Sequence, residues 1–266
     1  MLKKIKIGVL ISGSGTNMDA IITACEEKKI NGEVVFAGSD NPAAKGLEKA
    51  AKKGIPTFVV DYATIIRDFR QSPESFLFPD DFDLEDIRIK QSIVSQMART
   101  DEVIRFIETR AIAEARMLDN MKPYPFDLLI LAGFMRNLTP YFIDRVNVTP
   151  GRPRIMNIHP ALLPAFPGTD GYGETFRYGC KVGGCTVHFI DYGEDSGPII
   201  GQKCFAITET DTLDTIRRKG LALEHQLYPE CIQLFAEDRL ATVTMTYTDD
   251  RGGLRRRTVV KIAQIH

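Results

Sequence analysis

The sequence carries almost no net charge. Its 34 lysine and arginine residues are balanced by 35 aspartate and glutamate residues, which gives a formal net charge of −1. A chain without excess positive charge has no overall electrostatic attraction to nucleic acid or to an anionic membrane. The composition therefore disfavours large RNA substrates, and we expect small molecules as partners.

Long apolar segments are also missing. The first apolar run, Ile5–Ile11, ends at a glycine-rich turn and is too short for the core of a signal peptide or for a membrane span. No other segment approaches membrane-spanning length. We expect a cytoplasmic protein with no membrane partner.

Cysteine and histidine are few and lie in no paired spacing. The sequence has no C-x-x-C, H-x-x-x-H or H-E-x-x-H pattern, so a metal site is disfavoured. An odd, scattered set of cysteines indicates reduced thiols, most of them in or near the core. The five are Cys25, Cys180, Cys185, Cys204 and Cys231.

Short apolar runs alternate with amphipathic helical patterns along most of the chain. This alternation predicts an α/β fold with a doubly wound, mostly parallel sheet, whose strand-to-helix turns share the edge where ligands bind. The predicted strands are 5–11, 33–38, 57–60, 127–132, 153–157, 185–190 and 199–206. The predicted helices in this pattern are 18–29, 43–53 and 213–236.

Two regions depart from the alternation. Residues 72–105 combine prolines, an acidic run and a long charged helical pattern from Leu84, which predicts a helical insertion partly outside the main core. Residues 242–262 consist of two strand patterns around a glycine-containing turn, which predicts a C-terminal β-hairpin. Because no segment reads as a linker, we expect a single domain over 1–266.

A glycine-rich loop, Ser12 to Asn17, lies between the first strand and the first helix. Its glycines allow close approach of a ligand, and the helix start offers free N–H groups, so phosphate is the expected guest. The spacing matches neither a P-loop nor the full dinucleotide motif. A plain turn capped by Thr16 or Asn17 is therefore an equal alternative at this point.

Asn157 and His159 follow a strand and stand two residues apart, before Pro160 and Pro164. In extended chain they project the same way, and an amide donor beside an imidazole suits acyl transfer. A carboxylate from the loop at 191–195 could hold the imidazole, although loop carboxylates are usually solvated. His188, at the end of a strand, is interpreted as structural.

Four segments in order resemble the phosphoribosylglycinamide formyltransferase family. They are ISGSGTN at 11–17, AGFMRNL at 132–138, NIHPALLPAFPG at 157–168 and GCTVHFIDYGEDSGPII at 184–200. The resemblance spans roughly 1–60 and 105–240. It implies a formyltransferase fold and transfer of a formyl group from 10-formyltetrahydrofolate to the amine of glycinamide ribonucleotide, with no metal.

The resemblance also assigns roles to residues. His159 would be the general acid/base, Asn157 would stabilise the oxyanion, and Asp195 would hold the imidazole and stabilise its charged form. The residues matched to the substrate's phosphate and ribose are Gly15, Thr16, Asn17 and Glu224. Those matched to the folate pocket are Met135, Arg136, Asn137, Leu138 and, at the spacing of a family arginine, Arg110. A homodimer is compatible with all of this.

This sequence departs from the family pattern near the expected amine-substrate pocket. Residues 169–173 read TDGYG where the family usually carries histidines, and Leu221 replaces a polar residue one turn before Glu224. The insertion at 72–105 has no counterpart in a typical member. The acceptor is thus open between glycinamide ribonucleotide and a close analogue.

Other functions stay open on the sequence. A formyltetrahydrofolate hydrolase shares the catalytic residues but carries an extra domain before the first strand. Methionyl-tRNA and amino-sugar nucleotide formyltransferases lack the SGSGTN loop. A non-catalytic binding protein on this fold would have no need of Asn157, His159 and Asp195 together.

Overall fold

In the computed structural model, which describes residues 3–94 and 100–264, seven strands form one sheet in the order β3-β2-β1-β4-β5-β6-β7. The strands are β1 (Ile5–Ile11), β2 (Gly32–Ser39), β3 (Thr57–Val59), β4 (Leu128–Leu131), β5 (Ile155–His159), β6 (Val182–Phe189) and β7 (Ile199–Ala206). β1 to β5 pair in parallel, whereas β6 runs antiparallel to both of its neighbours, β5 and β7. The predicted doubly wound, mostly parallel sheet is confirmed.

The described residues form eight α-helices, most of which pack on the two faces of this sheet. Side chains of β1 alternate between the faces, so that Ile7 and Val9 pack in one hydrophobic cluster and Leu10 in the other. The helices are α1 (Thr16–Glu26), α2 (Lys45–Lys52), α3 (Tyr62–Gln71), α4 (Leu84–Lys90), α5 (Thr100–Met121), α6 (Pro140–Val146), α7 (Gly171–Arg177) and α8 (Leu213–Ala236). No helix of the described residues is both long and apolar enough to cross a bilayer.

The predicted insertion at 72–105 contains α4 and the start of α5, and its residues 95–99 lie outside the described residues. Ile87 of α4 and Val103 of α5 pack with Tyr141 in a third, separate hydrophobic cluster. The predicted boundary at 105 falls inside α5. The same helix continues to Met117, which packs against the sheet, so one helix joins the insertion to the main core.

Three short helices were not predicted. α3, α6 and α7 have only 7 to 10 residues, too few for their periodicity to stand out. α7 contains two glycines, which are poor helix formers. Packing fixes it instead, because a Cβ on Gly171 would lie 2.6 Å from the carbonyl oxygen of Pro160.

The C-terminal hairpin forms a second, two-stranded sheet from β8 (Leu240–Thr248) and β9 (Leu254–Ile262). It begins two residues before the predicted start at 242. Asp249 fixes the turn, since its Oδ1 accepts hydrogen bonds from the amides of Arg251 and Gly253 at 3.0 and 2.8 Å. Arg255 pairs with the same carboxylate at 2.7 Å.

Candidate active site

A cleft of about 300 Å³ opens where the strands end at their carboxyl side. β1 and β4 are neighbours in the sheet although β2 and β3 lie between them in the chain. This is therefore the point where the winding reverses and where α/β sheets bind ligands. Ten of the twelve candidate residues line this cleft; Gly15 and Thr16 do not. The ten are Asn17, Arg110, Met135, Arg136, Asn137, Leu138, Asn157, His159, Asp195 and Glu224.

His159 ends β5, and both of its ring nitrogens face hydrogen-bond acceptors. Nδ1 lies 3.1 Å from Oδ2 of Asp195, and Nε2 lies 2.8 Å from the carbonyl oxygen of Phe166. A ring nitrogen must carry a proton to bond an acceptor. Asp195 and the carbonyl of Phe166 therefore fix the orientation of the imidazole ring from both sides.

The loops that hold this pair have strained backbone. Phe166 and Asp195 adopt left-handed conformations with φ of 54° and 49°, which non-glycine residues rarely do. Gly168 donates its amide to Oδ2 of Asp195 at 2.8 Å. Burial alone would raise the pKa of Asp195, but the hydrogen bond and charge of His159 and the Gly168 amide hold it below its usual range. The carboxylate is thus ionised beside the imidazole.

Asn157 projects from β5 on the same side as His159, as its spacing predicted. Its Nδ2 lies 3.3 Å from Nε2 of His188, whose Nδ1 lies 3.0 Å from the carbonyl oxygen of Phe189. Because Nδ1 must donate to that carbonyl, Nε2 of a neutral His188 accepts from Asn157. Burial lowers the pKa of His188 and keeps the ring neutral. One Asn157 hydrogen is held by His188, which leaves the other for a ligand.

His188 has a larger part in the site than its sequence indicated. It does not line the cleft but lies beneath it, fully buried, with Nε2 3.6 Å from Oδ1 of Asp195. It therefore contacts both Asn157 and Asp195. The alternation of β6, which turns His188 toward Asn157 of the neighbouring strand β5, is the sequence signal that could have placed it.

Asn17 and Glu224 meet at the other end of the cleft, although 207 positions separate them. Nδ2 of Asn17 donates to Oε2 of Glu224 at 2.7 Å, and the hydroxyl of Tyr172 donates to Oε1 at 2.7 Å. Oδ1 of Asn17 is buried and has no hydrogen-bond partner among the described residues. This end of the cleft thus offers hydrogen-bond acceptors.

Gly15 and Thr16 form the turn into α1, beside Asn17. Gly15 has φ of 70°, and a Cβ there would lie 2.8 Å from the Cα of Gly46. The glycine is therefore required by the close approach of the α2 backbone as well as by its conformation. The turn leaves the first amides of α1 without partners inside the helix, which is the geometry that binds anions.

The 132–138 segment after β4 forms one wall of the cleft and is anchored by two residues that sequence reasoning missed. Asp40, which follows β2, accepts from Nε of Arg136 at 2.6 Å and from the hydroxyl of Ser12. The oxygen of Ser12 accepts from the amide of Met135 at 2.8 Å. Both anchors directly follow strands at the ligand edge, which is the signal that could have found them.

Arg110 reaches the cleft from α5 and brings a guanidinium that the described residues leave incompletely paired. Its Nε and Nη1 are buried without hydrogen-bond partners. The guanidinium lies over the rings of Tyr62 and Phe106, at 5.3 and 5.1 Å from their centroids. Burial lowers the pKa of Arg110, although a guanidinium stays charged in proteins. An anionic group of a ligand would satisfy it.

The described residues contain no group of three or more histidine, cysteine or acidic side chains that could hold a metal ion. All five cysteines are free. Cys185 and Cys231 are buried and Cys25 packs against the core, whereas Cys204 is exposed, so the expectation of core positions fits three of the five.

Comparison with known proteins gives a consistent result. Residues 5–232 match the family model described as formyl transferase. Phosphoribosylglycinamide formyltransferase of Bacillus subtilis is 33% identical over 86% of this chain and 93% of its own length. The Escherichia coli enzyme of that name is 31% identical, covering 88% of each chain.

A solved structure agrees. Glycinamide ribonucleotide transformylase 1 of Symbiobacterium toebii superposes with a TM-score of 0.69 and 36% identity over 98% of this chain and 94% of its own. With these matches and the geometry of the cleft, the chain belongs to the formyl transferase family, among the phosphoribosylglycinamide formyltransferases.

Proposed function

We propose that this protein transfers the formyl group of 10-formyltetrahydrofolate to the amine of glycinamide ribonucleotide, in the cytoplasm and with small molecules as its only substrates. The observation that carries the proposal is the arrangement of Asn157, His159 and Asp195 at the cleft of a chain in this family. The ionised Asp195 orients His159 and stabilises the charge that the ring gains when it takes a proton, and Asn157 has one amide hydrogen free for an oxygen atom.

The chemistry follows from these positions. The acceptor nitrogen forms a bond to the formyl carbon, and the formyl oxygen becomes an oxyanion that the free hydrogen of Asn157 stabilises. His159 takes the proton that the amine loses and returns a proton to the folate nitrogen as its bond to the formyl carbon breaks. The transfer needs no covalent enzyme intermediate.

The opposite wall fits the folate donor. Buried Phe134 and Leu138 give an apolar surface for a flat ring, next to the backbone of 135–137. The incompletely paired guanidinium of Arg110 lies at the same wall and suits a carboxylate, such as that of a glutamate tail. The backbone amides of Gly15 to Asn17 would bind the acceptor's phosphate, and Glu224 its ribose.

The test is absorbance-monitored loss of the formyl group from 10-formyltetrahydrofolate, with and without glycinamide ribonucleotide. Turnover that requires the ribonucleotide is the expected result. Turnover at the same rate without it would overturn the proposal in favour of a hydrolase. Turnover in neither assay would move the search to other phosphorylated amines and to a non-catalytic binding protein.

A further inference from the structure

The end of the cleft at Asn17 and Glu224 contains a buried carboxylate, that of Glu224, whose hydrogen-bond partners are neutral groups. Glu224 is 6% exposed, and its hydrogen-bond partners among the described residues are neutral side chains. Its two oxygens accept one hydrogen bond each, from Asn17 and Tyr172, both at 2.7 Å. A buried carboxylate has room for about four hydrogen bonds, so a ligand that donates would complete its shell.

Tyr172 stands behind this carboxylate rather than in the cleft. It is 7% exposed and is not part of the cleft lining, whereas Glu224 and Asn17 are. Burial, and then the neighbouring Glu224, raise the pKa of Tyr172, so the hydroxyl keeps its proton and donates. Its bond to Oε1 therefore fixes which way the carboxylate faces.

A glycine on the same face of α8 as Glu224 leaves space for the ring of Tyr172. Gly220 lies one turn before Glu224, and a Cβ there would lie 2.1 Å from Cζ of Tyr172 and 2.3 Å from its hydroxyl oxygen. Any larger residue at 220 would displace the ring from the carboxylate. Gly220, Tyr172 and Glu224 thus form one structural unit.

The orientation of Asn17 follows from the same unit. Because Nδ2 donates to Glu224, Oδ1 is turned away from it and stays a buried acceptor without a partner. Glu224 and Asn17 are neighbours in the cleft lining, so two acceptor groups, the carboxylate and the amide oxygen, are available at this end. Neighbouring hydroxyls of a sugar can donate to such a pair.

We propose that Tyr172 is a positioning residue for the acceptor substrate: its hydroxyl holds Glu224 against Asn17 so that both accept hydrogen bonds from the sugar hydroxyls. This inference rests on the proposed function, since it takes the acceptor to be a ribonucleotide. The side chain of Leu221 cannot form a hydrogen bond where the family has a polar residue. In this chain Tyr172, with the space left by Gly220, orients the Glu224 carboxylate instead.

The test compares Tyr172→Phe with the unchanged protein on glycinamide ribonucleotide and on its analogues that lack the 2′ or the 3′ hydroxyl. Loss of one hydrogen bond to a charged group should raise KM for the ribonucleotide about tenfold, with kcat and the KM for formyl folate changed less than about twofold. The preference for the ribonucleotide over at least one deoxy analogue should fall by about the same factor. A merely structural role would not remove that discrimination.

Tyr141→Phe is the matched control. Tyr141 is also buried and donates to a carboxylate, Oδ1 of Asp81 at 3.2 Å, but it lies on α6 away from the cleft. We expect it to leave both KM values and the discrimination unchanged. Wild-type discrimination in Tyr172→Phe would overturn the inference while the proposed function stands. An unchanged protein without activity on the ribonucleotide would overturn the proposed function and the inference with it.

Discussion

The two walls of the cleft differ in how completely their polar groups are paired. On the wall from β5, β6 and their loops, His159 contacts acceptors at both nitrogens and Asp195 bonds both the histidine and the Gly168 amide. On the α5 wall, two nitrogens of Arg110 are buried without partners among the described residues, as is the hydroxyl of Tyr62 on α3, whose ring lies under Arg110. The hydrogen-bonding groups of His159 and Asp195 are thus paired within the protein, before any ligand binds.

This difference corresponds to two tasks. Groups that move protons or stabilise charge act best when held in place before the substrate arrives, so that no reorganisation is needed at the reaction. A group that binds a ligand can keep hydrogen-bonding capacity in reserve, at a cost in stability that the ligand relieves. We therefore expect changes on the β5–β6 wall to alter kcat and changes on the α5 wall to alter KM and stability.

The largest effect is expected on the paired wall. His159→Ala and Asp195→Asn should each lower kcat by roughly two orders of magnitude or more, with less change in KM for either substrate, because each removes a group used in proton transfer. Steady-state kinetics check this. Asp238→Asn, which removes an exposed carboxylate paired with Arg152, is the control. Near-normal turnover in either variant would contradict the assigned roles.

Glu114 lies on the buried side of α5, outside the cleft lining, and gives the protein a stability that depends on pH. It is fully buried on α5, and its oxygens accept from the amide and hydroxyl of Thr139 at 2.8 and 2.5 Å. Burial raises the pKa of Glu114 from 4.5 to about 7. Between these values the folded state holds a proton that the unfolded state has lost, so stability falls as pH rises through this window and is level above it.

The shift corresponds to about 3 kcal/mol in the free energy of unfolding. Glu114→Gln keeps the bond from the Thr139 amide at its oxygen, can donate from Nε2 to the Thr139 hydroxyl oxygen and cannot ionise, so the variant should lack this loss between pH 4.5 and 7. Denaturant unfolding at several pH values measures it. Glu102→Gln, an exposed position on the same helix, should retain the wild-type profile. Equal pH profiles for Glu114→Gln and wild type would show that the carboxyl is not buried as described.

The sequence predicts contacts in this site well where the residues are close together in the chain and poorly where they are far apart. Asn157 and His159 are two residues apart on one strand, and their shared direction followed from strand geometry alone. Asp195 could be assigned only through the family resemblance. Arg110 was also assigned through the resemblance, at the spacing of a family arginine, and it lines the cleft from α5.

The missed residues are those whose partners are distant in the chain. Tyr172 bonds Glu224 across 52 positions, and Asp40 bonds Arg136 across 96. Periodicity indicates that an element exists and which face is buried, but it does not say which side chains of two elements meet. α7, which carries Tyr172, was itself missed because its two glycines conceal a helix fixed by tertiary packing.

Arg110→Ala should have the next effect in size. If the guanidinium binds an anionic group of the formyl donor, its loss should raise KM for that donor about tenfold and leave kcat within about threefold. The free energy of unfolding should not fall, since a buried group with unpaired nitrogens is removed. Kinetics and denaturant unfolding check the two parts, with Arg116→Ala, an exposed arginine of the same helix, as control. A large loss of stability with unchanged KM would assign Arg110 to the fold rather than to ligand binding.

Tyr62→Phe should have the smallest effect and gives the sharpest test of unequal pairing. The Tyr62 hydroxyl is fully buried without a partner, so removing it should change the free energy of unfolding by less than about 1 kcal/mol, and in the stabilising direction if at all. Tyr228 is the matched control, because its buried hydroxyl lies 2.9 Å from the carbonyl oxygen of Met156 and 3.1 Å from that of Leu131. Tyr228→Phe should cost about 1 to 2 kcal/mol in denaturant unfolding. Equal costs for the two variants would mean that Tyr62 has a hydrogen-bond partner in solution, and the contrast between the walls would then rest on Arg110 alone.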